Sequence, residues 1–378
     1  MPPQSRSARA LLSHHGYVRN VFVPFVLSRV IVVASLVLTR HLYRSVRVRA
    51  LPLQARMGLL GWDAAWYRDI AGHGYGGVKE VGLRFFPLFP MLARALAWIP
   101  GIGIGFATVF LANAFALAAG ILMFELARRE GRGVALARRS VWILYLAPTA
   151  FVLVMGYAEA TLITASLVTL IALRSRRWWI AAAAGVVAGL TRPVGVLLFV
   201  PAAIEVWQVR GAVTRKQIAG ALAAVAAPAV GAFAYLAWAE HLSGDFLYPV
   251  RVQQVSTSRG GWIDPFRAVW RAGTQAADGG HLSAGIHVVT AAALVVLVVV
   301  LWRRWPASFT AYAIAVVVVG LSARNLDSLE RYSLSTVPLV LAAADITGDG
   351  TRERVVLATL GAMLVACSVL AFSGLLVP

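Results

Sequence analysis

The sequence predicts an all-α, polytopic integral membrane protein with about 11 transmembrane helices. Of its 378 residues, 60% are apolar and 13% are charged, whereas a soluble domain is nearly half apolar and about a quarter charged. The mean hydropathy is +0.75, and the apolar residues form long runs between short charged stretches. These features exclude a disordered chain, and the single cysteine, Cys367, excludes an intramolecular disulfide.

Eleven apolar runs are the candidate spans, because a spanning helix needs roughly 20 mainly apolar residues. Some runs are shorter than a full span, so the predicted count is good to one or two. Residues 1–378 are therefore predicted to form a single transmembrane domain without a soluble domain or an internal repeat. Gly/Ala-rich stretches inside the runs predict close helix packing at 181–189 and 219–231. The runs are 21–39, 104–127, 141–155, 157–173, 178–190, 194–208, 217–239, 285–302, 307–322, 333–345 and 355–376.

The charge distribution predicts the orientation of the chain. There are 35 Lys+Arg against 16 Asp+Glu, a net charge of +19. In a soluble protein this excess would indicate nucleic acid, but cytoplasmic loops of membrane proteins also collect cations. We therefore predict a multi-pass protein of the plasma membrane that binds no nucleic acid, with a cytoplasmic N-terminus and an external C-terminus. The cation-rich short loops assigned to the inside are 128–139, 174–177, 210–216, 303–304 and 352–354.

Two long stretches lack a spanning run, and both are predicted to be exoplasmic loops. They are residues 40–103 and 241–284, which combine acidic residues with Trp, Tyr, Pro and Gly. A simple membrane anchor has no need of such loops, so the external face is expected to carry the function.

The first of these loops is expected to carry chemistry. Its segment WDAAWYRDI predicts a short amphipathic helix, because Trp62, Trp66 and Ile70 recur at helical spacing with Tyr67 beside them. Such a helix is expected to lie in the interface plane with its aromatic rings at headgroup depth. Asp63 lies in its first turn. A carboxylate half-buried among indole rings is expected to have a raised pKa, which suits a general base acting on a sugar hydroxyl.

The same loop resembles a known family signature. Residues 62–75 read WDxxWYxxIAxxGY and are followed by FFPLFP at 85–90. This pattern is similar to that of the PIG-V family of mannosyltransferases, which are multispanning GT-C enzymes using a polyprenyl-phosphate-linked mannose donor. In that family a Trp-Asp pair opens the first exoplasmic loop, where Trp62 and Asp63 stand here.

Later segments resemble further parts of the family pattern, in the same order. Ala158 stands where the family has a hydroxyl residue, and Val194 stands where it has Asn. The segments are PTAF with YAEA at 148–160, GLTRPVG at 189–195, GDFLY with QQ and Trp at 244–262, and RYSL to Pro at 331–338.

The resemblance implies the following reaction. Mannose passes from a polyprenyl-phosphate-mannose donor to a hydroxyl of a lipid-linked or other exoplasmic acceptor, with inversion, Asp63 acting as general base, and no metal or other cofactor expected. A guanidinium matches phosphate oxygens bidentately, so Arg192 is the first choice for the donor phosphate, with Arg331 and Arg84 as second choices. The other residues expected to contact substrate are Trp62, Trp66, Tyr67, His73, Tyr75, Glu159, Asp245 and Gln253.

Several of these residues also have a purely structural interpretation. Asp63 could be favoured by the helix dipole, Arg192 could extend to the interface, and Glu159 could pair with an arginine. His73 and Tyr75 could shape the loop only.

Other residues are expected to serve the topology. Arg29, inside the first run, is expected to extend toward the cytoplasm because a charge within a span is costly. Interfacial aromatic belts are predicted at Trp178, Trp179, Trp302 and Trp305.

Three competing functions remain open at this level. The first is a transporter or lipid flippase, although such proteins usually carry inverted repeats and none is visible. The second is a GT-C enzyme that uses another polyprenyl-phosphate sugar, such as arabinose or glucose. The third is a catalytically silent relative that acts as an accessory subunit.

Overall fold

The protein is all-helical over the residues that the computed structural model describes, which are 18–46, 50–255, 259–279 and 282–377. Among these residues there are seventeen α-helices and no strand. The helices are α1 (Val23–Val46), α2 (Leu53–Met57), α3 (Asp63–His73), α4 (Leu88–Leu96), α5 (Ile104–Arg129), α6 (Gly133–Leu146), α7 (Glu159–Arg174), α8 (Trp178–Thr191), α9 (Phe199–Gln208), α10 (Arg215–Ser243), α11 (Tyr248–Arg251), α12 (Pro265–Ala277), α13 (Leu282–Arg304), α14 (Ala307–Leu321), α15 (Leu329–Ser335), α16 (Val337–Thr347) and α17 (Thr351–Phe372).

Five of these helices are long and apolar enough to cross a membrane, namely α1, α5, α10, α13 and α17. The predicted all-α class is therefore confirmed for the described residues, and the five apolar helices are consistent with a membrane protein. Each of the eleven apolar runs overlaps a helix, but the helices in the other six runs are shorter than 18 residues. Eleven spans remain a prediction.

Two helix ends are determined by proline and lead into the candidate site. Helix α6 ends at Leu146, before Pro148, and α8 ends at Thr191, before Pro193. Proline disfavours helical geometry in the residue before it, so both helices stop there. Each is followed by a short 3₁₀ helix, at Ala150–Leu153 and Pro193–Leu198. These breaks bring non-helical backbone and polar side chains to one end of the bundle.

Helices α8 and α10 pack backbone to backbone, as their glycines predict. A Cβ added at Gly189 would lie 2.1 Å from the carbonyl oxygen of Pro228, and one at Gly231 would lie 2.4 Å from that of Val186. Only glycine permits this approach, so the predicted close packing is confirmed.

Arg29 is turned into the protein, so the prediction that it extends toward the cytoplasm is wrong. Its Nε donates to Oδ1 of Asn113 at 3.0 Å, and its Nη2 donates to the carbonyl of Leu153 at 2.9 Å. The guanidinium also lies 3.7 Å from the centre of the Phe25 ring. Hydrogen-bond acceptors inside the protein thus take the place of the water that the Arg29 side chain was expected to reach.

Two of the four tryptophans predicted to form interfacial belts are exposed, and two are buried. Trp179 and Trp302 are 66% and 74% exposed, as an interfacial residue would be, whereas Trp178 and Trp305 are buried. Trp178 packs among the alanines of α8 and α10, and Trp305 packs in the largest apolar cluster.

The predicted helix in the first long loop is present as α3, but its apolar face is covered by protein. Tyr67 and Ile70 are buried in a cluster that includes Phe85 and Phe89. Trp62 precedes the helix and packs against a different cluster. The expectation that the aromatic rings lie free at headgroup depth therefore fails for Tyr67, and the burial of Tyr67 and Ile70 fixes the position of α3 by packing.

Candidate active site

A polar cavity of about 520 Å³ opens where α3 meets the breaks after α6 and α8. Segments that lie far apart in the chain form its walls, and many of the lining side chains are charged or aromatic. They include Gln54, Trp62, Asp63, Trp66, Tyr67, Arg84, Phe85, Tyr157, Arg192, Gln253, Arg259, Asp327, Ser328, Arg331 and Tyr332.

The backbone at Trp62 aims Asp63 into this cavity. Trp62 has φ 54° and ψ −130°, a conformation that side-chain-bearing residues rarely adopt and that costs on the order of 1–3 kcal/mol. Two bonds hold it: its N–H donates to Oε1 of Gln54 at 2.9 Å, and its indole N–H donates to the carbonyl of Ala371 at 3.0 Å. The N–H of Asp63 donates to the Tyr157 hydroxyl at 3.2 Å. The first residue of α3 is therefore fixed from three directions.

Asp63 belongs to a network of carboxylates and guanidiniums. Nη1 of Arg331 donates to Oδ2 of Asp63 at 2.7 Å and also lies 3.2 Å from Oε1 of Glu159. Arg192 donates to the same oxygen of Glu159. Nη2 of Arg84 lies 3.8 Å from Oδ1 of Asp63. Two carboxylates and three guanidiniums thus form one connected cluster.

The members of this cluster differ in burial, which separates two roles. The Glu159 side chain has no exposure, whereas that of Asp63 is 23% exposed. Glu159 does not line the cavity, so it acts as the counter-ion behind Arg192 and Arg331. Asp63 lines the cavity directly and can meet a substrate.

The pKa of Asp63 lies below its ordinary value, so the predicted rise is wrong. Burial by itself raises this pKa, as the sequence indicated. The positive charges of Arg331, Arg84 and Arg192 and the hydrogen bond from Arg331 together outweigh that effect. Asp63 is therefore a carboxylate held in its ionised form while the cavity contains no competing anion.

Other predicted residues line the same cavity. Trp66 stacks on Phe85 with ring centres 5.7 Å apart, and Tyr67 meets the edge of Phe85 at 5.1 Å. Gln253 contributes to the opposite wall. Eight of the twelve predicted residues are brought together in this way, namely Asp63, Arg84, Arg192, Arg331, Trp62, Trp66, Tyr67 and Gln253.

Three predicted residues lie elsewhere. His73 is exposed at the end of α3, with Nδ1 3.2 Å from the carbonyl of Asp69. Tyr75 is buried and donates to the carbonyl of Phe85 at 2.5 Å. Asp245 pairs with Arg251 at 2.9 Å. All three shape or cap a loop, so they are not placed against the cavity as predicted.

The cavity also contains residues that were not singled out from the sequence. Arg259 donates to the carbonyls of Val319 and Gly320 and to the Tyr332 hydroxyl at 3.2 Å. Gln54 and Tyr157 hold the backbone on either side of Asp63. Tyr157 and Tyr332 lie close in sequence to Glu159 and Arg331, within the segments that resemble the family pattern, and this closeness could have identified them as site residues. No sequence feature pointed to Gln54 or Arg259.

A second cavity of about 240 Å³ adjoins the first and is mainly apolar. The two share four lining residues, Pro193, Gln253, Arg259 and Tyr332. The other walls of the second cavity are largely aliphatic, and Trp262 completes them. A ligand with a polar head and an apolar chain would fit across this junction.

Among the described residues, no group of three or more His, Cys, Asp or Glu side chains is placed to hold a metal ion.

The fold and the cavity define a class: a helical protein with five helices long and apolar enough to cross a membrane and a cavity lined by charged side chains at one end of the bundle. Comparison with known proteins does not narrow that class. No family model matches this chain, and no curated protein matches it at a significant level.

Proposed function

We propose that this chain is an integral membrane mannosyltransferase of the GT-C class. It transfers mannose from polyprenyl-phosphate-mannose to a hydroxyl of a lipid-linked or other exoplasmic acceptor. The observation that supports this most strongly is the placement of Asp63 in a cavity walled by arginines, next to an apolar cavity. The resemblance of residues 60–340 to the PIG-V pattern gives the sugar and the donor.

The proposed reaction assigns each group in the cavity a chemical role. The acceptor hydroxyl oxygen bonds to the anomeric carbon from the face opposite the phosphate, and its proton passes to the Asp63 carboxylate. The bond between the anomeric carbon and the phosphate oxygen breaks, and the polyprenyl phosphate leaves with the electron pair. Arg84, Arg192 and Arg331 stabilise the phosphate charge. Inversion at the sugar follows from this single displacement.

The low pKa of Asp63 is compatible with this role, because the arginines that lower it are the proposed phosphate ligands. A bound phosphate competes with Asp63 for Arg84 and Arg331. As those guanidiniums turn to the phosphate, Asp63 loses part of its stabilisation and becomes more basic. Donor binding thereby prepares the base, and a carboxylate that stays ionised in the empty cavity is ready to accept a proton.

The proposed setting is the plasma membrane, with about eleven spans, a cytoplasmic N-terminus and the cavity on the exoplasmic side. Cysteine labelling from one face tests this in a Cys367→Ser background. The exposed residues Lys79 and Arg176 lie on opposite sides in the proposed topology, so Lys79→Cys should react with an impermeant reagent from outside and Arg176→Cys should not. Labelling of both from outside would overturn the orientation.

Transfer of radiolabelled mannose from polyprenyl-phosphate-mannose to membrane lipids by the purified protein tests the activity. Asp63→Asn should lower the rate by about 10²–10⁴-fold, the usual contribution of a general base. Asp69→Asn is the matched control, because Asp69 lies on the same helix and, among the described residues, forms its ion pair with its half-exposed neighbour Arg68 at 2.8 Å. Equal rates for the two variants would refute the role of Asp63.

Parallel assays separate the competing functions. Polyprenyl-phosphate arabinose and glucose test the other-sugar alternative, and movement of labelled lipid across vesicles tests the flippase alternative. Absence of transfer from every polyprenyl-phosphate sugar, with lipid movement retained, would overturn the enzyme proposal.

A further inference from the structure

Helix α12, in the second long loop, carries an exposed aromatic stripe. Phe266 and Trp270 lie one turn apart on the same face and are 89% and 75% exposed, and Trp262 just before the helix is 60% exposed. Nothing in the described part of the chain covers these rings. Large aromatic side chains grouped on one exposed face mark a surface that meets a partner.

The orientation of α12 is settled by its opposite face. Ala268 and Ala272 are buried and belong to the largest apolar cluster, so that side of the helix is turned to the protein. The aromatic face therefore points outward. Arg267 lies beside the stripe with its side chain 84% exposed, and it pairs with Asp264 at 3.2 Å. Because this exposed pair leaves little net charge, the stripe is mainly an apolar surface.

The position of α12 places this surface beside a membrane-spanning helix. Four residues join Ala277 to α13, whose segment Ser283–Arg304 is long and apolar enough to cross a membrane. That connection reaches at most about 18 Å. Ala268 and Ala272 also line a cavity together with Ser283 and Ala284 in the first turn of α13. The helix thus lies at the level where α13 begins its apolar segment.

We propose that α12 is an in-plane membrane helix, with Phe266 and Trp270 inserted at the boundary between headgroups and acyl chains. The indole of Trp270 favours that depth because it is an apolar ring with a polar N–H, and the fully apolar ring of Phe266 belongs to the inserted face of an in-plane helix. A second copy of the chain fits this surface less well. The three partly exposed aromatic side chains offer roughly 500 Å² of accessible surface, whereas each partner in a stable protein interface buries about 800 Å². The second loop therefore lies on the bilayer and does not project from it.

This placement has a consequence for the apolar cavity. Trp262 lines that cavity beside Val194 and Val319 and also adjoins the stripe. An in-plane α12 sets this wall of the cavity at the depth where lipid chains begin, so a lipid substrate can reach the cavity from the side. This consequence rests on the proposed function, whereas the membrane contact of α12 does not.

Depth-dependent fluorescence quenching tests the membrane contact. The full chain with Cys367→Ser carries an environment-sensitive fluorophore at Phe266→Cys or, as matched control, at Gln275→Cys, which is exposed and about 180° around the helix. The vesicles are phosphatidylcholine with nitroxide lipids labelled near the headgroup or near the chain end. We expect blue-shifted emission at 266 with several-fold stronger quenching by the shallow nitroxide, and no such preference at 275. A label at Trp270→Cys should report the same depth.

Three results would overturn the proposal. Equal quenching at 266 and 275 would mean that the stripe does not face lipid. A blue shift at 266 without quenching would mean that a second protein copy covers it. Deeper quenching at 270 than at 266 would mean that the helix penetrates the bilayer. None of these readouts involves sugar transfer, so their outcome is independent of the proposed activity.

Discussion

Glu159→Gln tests whether the buried carboxylate holds the candidate site together. The Glu159 side chain has no exposure, and its Oε1 accepts from both Arg192 and Arg331. Glutamine keeps the size of the side chain and one oxygen acceptor but removes the charge. Two guanidiniums that are only 14% and 8% exposed then lose their shared, fully buried counter-ion, so we expect a large loss of stability.

The size of that loss follows from what each arginine retains. Arg331 keeps its 2.7 Å bond to Asp63, whereas Arg192 has no other carboxylate within ion-pair distance among the described residues. Breaking one partner of a buried ion pair costs about 3–5 kcal/mol. Since Arg331 is partly compensated, the lower end of about 3 kcal/mol applies, which is roughly a hundredfold change in the folding equilibrium.

Unfolding by SDS titration in mixed micelles measures this free energy. Glu205→Gln is the matched control. Glu205 is also buried, and it accepts from the Ser308 hydroxyl at 2.5 Å, a bond that the glutamine oxygen can keep. Its ion-pair partner Arg174 is 36% exposed, lies 3.4 Å away and keeps its pair with Glu130 at 2.8 Å, so the substitution should cost at most about 1 kcal/mol. Adding Arg192→Met to Glu159→Gln should restore much of the stability, because the unpaired charge is removed. A Glu159→Gln cost no larger than the control, or no recovery in the double variant, would contradict the reasoning.

Three further variants probe the supports of the site. Gln54→Ala leaves the Trp62 N–H without its acceptor and should lower the free energy of unfolding by about 1–3 kcal/mol, measured by the same titration. The proposed transfer rate should fall while the KM for the donor stays unchanged. A changed KM alone would argue against a positioning role. Gly189→Ala forces a Cβ against the backbone of α10 and should cost about 1–3 kcal/mol, whereas Gly76→Ala, where the space is open, should be neutral. Arg84→Gln removes a charge that lowers the pKa of Asp63. A lowered carboxyl pKa gives stability that is present above its ordinary value of 3.8 and is lost as the pH falls through the lowered pKa. Because the Asp63 pKa of the variant lies closer to that ordinary value, the variant should lose less stability on acidification than the wild type, and its loss should be complete at a higher pH; coinciding acid profiles would refute this.

The sequence predicts the helices and the first-loop motif well, because both are local. The apolar runs coincide with helices, and α3 begins at Asp63 as the Trp-Asp pattern indicates. Pro148 lies inside the run 141–155, and Pro193 lies between the runs 178–190 and 194–208. A helix ends just before each proline, and the lengths of these runs as spans are the uncertain ones. An apolar run can span a membrane only if its helix is long enough. The helix ends before these prolines limit that length more than the average hydropathy of the run does.

The electrostatics of the site could not be predicted, because the partners are distant in the chain. Arg331 lies 268 residues from Asp63 and 172 residues from Glu159. The sequence near Asp63 shows indole rings, which suggest a raised pKa, but it does not show which arginines arrive from later helices. The wrong sign predicted for the pKa shift of Asp63 has this origin. His73 and Tyr75 lie away from the cavity for a different reason. A motif position specifies a residue type, but it does not specify whether the residue contacts substrate.

The hydrogen bond from the Trp62 indole to the carbonyl of Ala371 joins the first loop to α17 across 309 residues. Since a chain is synthesised from its N-terminus, the loop that presents Asp63 leaves the ribosome long before the carbonyl that fixes it. The cavity therefore cannot acquire its final geometry until α17 has been inserted and has docked. A nascent chain caught before that step would hold Asp63 on a loop that lacks this contact, so the order of biosynthesis itself delays completion of the cavity until the last helix is in place.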